Sequence, residues 1–338
     1  MAYLPGRTAM EPSMMNLPDT SPRTLAGTLP VWARGPAETV VDHIQHGAFQ
    51  RSMSLLVAGT SVISGLEVAY EHYKGSYSNP VMYTPVVLSG VMAVAGVTAF
   101  FSGRMARTFL RWASYTTLAD GVMGFGFHVR GIARKPGGWR LPVTNIVMGP
   151  PIFAPLLFGT SAYLGVIASY LKREEEHGIP AKAADAVRSL VRTDFREEIR
   201  EGRFQRHLCT VAAVGTLASG AESWYSHYKD NFKYRVQWSP ILMTPLMLIA
   251  TLGGRMSERV ANTLLPVASG LLMLNGAIGT GYHVRGILDR PGGKQKPIYN
   301  VLYGPPVFAP MLFAACGLLG ALAYLMRREP AFPRSYRT

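Results

Sequence analysis

The sequence predicts an all-α integral membrane protein. Eight transmembrane helices form two parallel, same-orientation four-helix repeats about a pseudo-twofold axis along the membrane normal. Three observations carry this expectation. Hydrophobic residues make up 48% of the 338 and charged residues only 16%, against about 25% charged in a typical soluble domain. The charges are bunched, which leaves apolar stretches of roughly 18–25 residues, the length a helix needs to cross a bilayer. The second half then copies the first at a constant offset of 155 positions.

In chain order, residues 1–35 read as a leader rich in Met, Pro, Ser and Thr. They lack the basic and apolar regions of a cleaved signal peptide. The first repeat, 36–174, opens with PAETVVDHIQHGAFQR, whose spaced apolar residues (Val40, Val41, Ile44, Phe49) mark an interfacial entry helix. Spans follow over about 52–73, 84–102, 108–129 and 146–171. A charged, helix-prone linker (175–190) leads to the second repeat, 191–329, with its own entry helix and spans over about 207–228, 239–252, 260–283 and 301–326. A basic tail, 330–338, closes the chain.

The copy holds register over about 139 residues without a gap: NIVMGPPIFAPLLF matches NVLYGPPVFAPMLF, and Asn145 matches Asn300. Four spans per repeat is an even number, so both copies enter the membrane in the same direction. Of the 34 Lys and Arg, 22 fall on the side of the termini, the linker and the loops holding Arg104 and Arg259, against 12 on the other. The positive-inside bias makes that side cytoplasmic. The expected location is therefore a plasma or inner membrane with both termini in the cytoplasm.

The formal charge of +14 would point to nucleic acid in a soluble protein. In this pattern it reads as basic flanks of membrane segments facing anionic lipid, with no nucleic-acid partner. Cys209 and Cys316 both lie in apolar runs, so no disulfide framework or cysteine-based zinc site is indicated. No phosphate loop, nucleophile elbow or covalent haem-attachment motif occurs, so the sequence assigns no reaction.

Internal duplication also filters the polar residues. Of eight histidines, only the pairs His72/His227 and His128/His283 occur in both copies, all at the outer ends of first and third spans. Glu67 and Glu222 lie about one turn deeper than the first histidine of each pair. An ionisable residue inside a span costs roughly 2.5–3.5 kcal/mol on insertion scales and so seeks a partner. Two histidines and a glutamate per repeat are a ligand set for non-haem iron or zinc. Glu67 and His72 are five apart, about 140° around a regular helix, so joint ligation needs a bulge or an unwound end.

Haem is the other expected cofactor. His72 and His128 sit on separate spans at similar depth, as axial ligands would. Gly121 and Gly124 share the face of His128, and Gly276 and Gly279 share that of His283, leaving a strip free of side chains. Such a strip admits either a flat macrocycle or a closely packed helix. Arg130 and Arg285 would neutralise propionates or the glutamates. Asp120, mid-span, matches Asn275, which favours a structural role over a proton path. Pro155 and Pro310 fall within the fourth apolar runs and predict kinks there.

The expected function is accordingly metal- or haem-based redox chemistry or electron transfer, with the bilayer, other membrane subunits or a redox partner as neighbours. The alternatives are a transporter or channel using the same residues, and an accessory subunit in which they only lock helices.

Overall fold

The computed structural model describes residues 38–44, 46–176, 199 and 204–326. The leader, most of the linker, most of the second entry helix and the tail lie outside the described residues. Everything described is helix, turn or loop, apart from one isolated bridge between Ala48 and Lys172.

The first half contains α1 (Gln50–Lys74), α2 (Thr84–Phe101), α3 (Arg111–Ala133), the short α4 (Pro142–Val147) and α5 (Ala154–Tyr170). The second contains α6 (Gln205–Lys229), α7 (Ser239–Met256), α8 (Leu264–Leu288), the short α9 (Pro297–Tyr303) and α10 (Ala309–Leu325). In the first half α1 packs on α2 and α5, and α3 packs on the same two, which closes a ring of four. In the second half α6, α7, α8 and α10 close the same ring, and α5 meets α6 between the halves.

Among the described residues, four helical stretches are both long and apolar enough to cross a membrane: Gln50–Lys74, Pro80–Phe101, Arg235–Met256 and Leu264–Leu288. The core is built from side chains at matching positions. Met92, Ala95, Leu110 and Ala113 are buried in one half, and Met247, Ala250, Leu265 and Ala268 in the other. The outward faces are apolar too. Val87, Val94 and Phe101 on α2, and Leu242, Ile249 and Met256 on α7, are each more than half exposed at seven-residue spacing. Exposed stripes of this kind are what lipid, rather than water, tolerates.

The fourth apolar run of each half departs from the sequence expectation. It is not one kinked span. A short helix, a loop and a 17-residue helix replace it. Pro155 and Pro310 occupy the first turn of α5 and α10, where a missing N–H costs nothing, so they start helices instead of bending them. Among the described residues, Pro245 on α7 does lie inside a helix. At about 1.5 Å per residue, α5 and α10 are each about 26 Å long, short of the roughly 30 Å hydrocarbon core.

At the opposite end, the segment after α5 caps α1. Phe49 supplies no side-chain cap, and the Glu174 carboxylate instead accepts from the backbone N–H of Arg51 and of Ser52, both at 2.9 Å. Arg173, nearly buried, donates to the carbonyls of Ala99 and Phe100 at the end of α2 and to Gln50 Oε1. A cation at a helix C-terminus and a carboxylate at an N-terminus both oppose the local helix dipole.

Candidate functional site

The site forms where two sequence motifs from the same half interlock. Gly121, Gly124 and Gly131 on α3 face the GPPxFAP segment that leads into α5. A Cβ on Gly121 would lie 2.9 Å from the Pro155 carbonyl oxygen, on Gly124 3.1 Å from Pro155 Cβ, and on Gly131 3.2 Å from Pro150 Cγ. In the second half, a Cβ on Gly276 would lie 2.6 Å from the Pro310 oxygen, and on Gly279 2.9 Å from Pro310 Cβ. The glycine strips are therefore filled by the fourth helix, at the close approach that small residues permit. They leave no flat space, so the strip does not fit a haem macrocycle.

The same contact fixes the histidines. His128 Nδ1 lies 2.6 Å from the carbonyl oxygen of Pro151, and His283 Nδ1 lies 2.6 Å from that of Pro306. Because a carbonyl only accepts, each Nδ1 carries the proton and donates, which leaves Nε2 as the ring's lone-pair nitrogen. His72 repeats the device on another element: its Nδ1 donates at 2.6 Å to the carbonyl of Met82, in the single turn Pro80–Tyr83 before α2. His227 makes no such bond among the described residues and sits against Phe232. Within each half the first and third helices bring their histidines into electrostatic range, His72 with His128 and His283 with His227.

The glutamates do different work. Glu222 Oε1, on α6, accepts from the backbone N–H of Phe153 at 3.0 Å, in the other half of the molecule. Phe153 is the residue just before α5, so Glu222 caps a helix whose own N-terminus has no side-chain cap. Glu67 lies within range of the charge of Glu222 and Glu71. Beside it, Tyr70 Oη donates to the carbonyl of Gly304, also across the halves, at 3.4 Å. No group of three or more His, Cys, Asp or Glu able to hold a metal occurs among the described residues. Glu222 and the three anchored histidines are held by different backbone groups.

Arg130 is exposed and has no ion pair among the described residues, while Arg285 is exposed and pairs with Asp289 at 3.4 Å. Neither arginine pairs with Glu67 or Glu222. Asp120 is buried and accepts from Thr84 Oγ1 at 2.7 Å, tying α3 to the start of α2.

Sequence reasoning missed the role of Asn145 and Asn300. Both are buried. Asn145 Nδ2 donates to the carbonyls of Pro136 and Gly138, and Asn300 Nδ2 to that of Gly293. They pin the Pro-Gly-Gly turns, whose glycines adopt positive φ of 79° and 49° in one half and 86° and 43° in the other. Their retention in both copies was the available signal.

The fold and site define an all-helical protein with membrane-length apolar helices and a set of carbonyl-anchored histidines at one end. No protein family, curated protein or solved structure matches the chain.

Proposed function

We propose that the protein is an eight-span membrane protein of two parallel four-helix repeats, and that its histidine pairs hold a transition-metal ion for redox or electron transfer. The pairs are His72/His128 and His227/His283, near the extracytoplasmic surface, with both termini cytoplasmic. One observation carries the metal reading: in three of the four histidines Nδ1–H is locked on a backbone carbonyl. That is the outer-sphere bond that fixes the tautomer and orientation of a ligating imidazole and leaves Nε2 for the ion. Imidazole nitrogens suit copper, zinc, iron or nickel. A bound ion of the redox-active kind would supply one-electron chemistry at the membrane surface. The chain's own part is to present Nε2 from two helices and to fix three of the rings through backbone carbonyls just before the second and fourth helices of the halves.

The repeat arrangement is supported by the fixed offset of 155 and by the matching helix bounds, Gln50–Lys74 with Gln205–Lys229 and Ala154–Tyr170 with Ala309–Leu325. The direct test is elemental analysis of detergent-purified protein prepared without chelator, with an absorption spectrum before and after loading with copper, iron or zinc. A stoichiometric ion that is lost in His128→Ala and His283→Ala, with folding intact, is the expected result. Protein that takes up no stoichiometric ion, and whose stability does not respond to added metal, overturns it.

A second reading is an accessory subunit of a larger membrane complex, and the bond from Phe153 N–H to Glu222 favours it. In that case the polar residues serve one another, and the histidine variants lose stability without any loss of metal.

A further inference from the structure

The basic residues beside the histidines are not accounted for by the site itself. Between Arg285 and Gly304 the chain carries Arg285, Arg290, Lys294 and Lys296 against a single acid, Asp289, which is engaged with Arg285. Lys294 and Lys296 are exposed and have no ion pair among the described residues. Arg290 is half-buried, and its Nε is buried without a hydrogen-bond partner. At the same level α9 turns large apolar side chains outward: Ile298 is 76% exposed and Tyr299 55%. Between α8 and α9 runs an apolar groove of about 280 Å³, lined by Ile287, Leu288, Pro297, Val301 and Val307, with Lys294 at its rim. That volume is close to the lower end of ligand pockets, roughly 300–1,000 Å³.

Cations without an ion pair among the described residues, at a groove that is apolar apart from Lys294, ask for a ligand with an anionic end and an apolar end. We infer that this groove is a site for an anionic phospholipid, with an acyl chain along Leu288 and Val301 and the phosphate at Lys294, Lys296 and Arg290. A free phosphate would satisfy the charges and leave the groove and Ile298 uncovered. An acidic protein segment would have no use for the apolar lining. Short amphipathic elements with basic and large apolar side chains at one depth are how chains seat at a lipid interface. The first half carries a related element, with Arg134, Lys135 and Arg140 and no acid between Arg130 and Gly149, but Trp139 stands where Lys294 does. The lipid site belongs to the second half.

The inference rests on the membrane reading, and its test separates the two. Protein is reconstituted in nanodiscs of phosphatidylcholine with a minor fraction of phosphatidylglycerol, and retained lipids are counted by native mass spectrometry. The wild type should retain phosphatidylglycerol in preference to phosphatidylcholine. Lys294→Gln with Lys296→Gln, which removes one charge at each of two exposed positions, should lower that preference by about five-fold per charge removed. Val301→Trp, which plugs the groove and leaves the charges, should lower it as well. Inorganic phosphate or glycerol phosphate should not displace the lipid. Equal retention of the two lipids, or displacement by inorganic phosphate, overturns the lipid site alone. A chain that remains soluble without detergent overturns the membrane reading and the site with it.

Discussion

An alanine scan of the glycines on α8 tests the interlock between α8 and the fourth helix directly. Gly276 and Gly281 lie on one helix, five residues apart, which places them about 140° apart around its axis. A Cβ on Gly276 would sit 2.6 Å from the Pro310 oxygen, 2.7 Å from the Ala314 nitrogen and 2.9 Å from the Ala314 Cβ, whereas on Gly281 it would meet nothing within 4 Å. Two of the three contacts at Gly276 are backbone atoms, which cannot turn aside as a side-chain tip can. The helices must therefore separate, and overpacking of that sort costs roughly 1–3 kcal/mol. Helix propensity gives back at most about 1 kcal/mol for Gly to Ala, and less if the segment stays helical in the membrane-unfolded state. The expected net loss for Gly276→Ala is about 1–2 kcal/mol, while Gly281→Ala should be neutral or stabilising by up to about 1 kcal/mol. Gly121→Ala should fall between them, because its Cβ meets the Pro155 oxygen at 2.9 Å but faces Gly159 where Gly276 faces Ala314. The assay is equilibrium unfolding by SDS in mixed micelles, followed by circular dichroism. Equal losses at Gly276 and Gly281 would refute the packing argument, since one position is closed and the other open.

Other perturbations follow from the same geometry. Glu222→Ala leaves the Phe153 N–H without its partner and should cost about 1–3 kcal/mol, the range for a buried donor left unsatisfied; Glu222→Gln, which keeps an acceptor oxygen, should lose less, and equal losses in the same unfolding assay would show that an uncharged oxygen at this position does not cap the helix. Asn300→Ala frees the carbonyl of Gly293 and should raise amide exchange across residues 289–297 while leaving α6 protected, so unchanged exchange there would count against the pinning role. At the opposite end, hydrogen bonds from Arg51 and Arg173 hold the Glu175 carboxyl at about 2, against an ordinary value of 4.5. A depressed carboxylate stabilises the fold fully above pH 4.5 and loses that contribution as pH falls toward 2. The half-exposed carboxylate makes the effect small, and Glu175→Gln should flatten this part of the stability profile. An unchanged acid slope in the variant would show that the pairs do not act in solution.

How much of this could be read from the chain depends on the kind of force involved. Helix type and the register of the two halves follow from apolar content and the offset of 155, because they reflect composition summed over many residues. The shared face of Gly121, Gly124 and His128 was equally legible, since helical periodicity alone places them together. What occupies that face was not, because a smooth strip offers the same surface to a helix and to a flat ligand. The proline that fills it lies 31 positions beyond Gly124, and only tertiary packing brings it there. Pro155 misled for a related reason: the motif GPPxFAP places it within an apolar run, and whether it bends or begins a helix depends on where the preceding loop ends. The glutamates show the limit most clearly. Their depth in the span predicted a partner, and the sequence offered arginines and histidines as charged choices. The partner of Glu222 is a backbone N–H of the opposite half, which carries no letter of its own. Polar groups of the main chain are as strong as side chains inside an apolar bundle. For Glu222 and for His72, His128 and His283 alike, the acceptor or donor that fixes the side chain is a broken stretch of helix, and that stretch becomes visible only once the chain is folded.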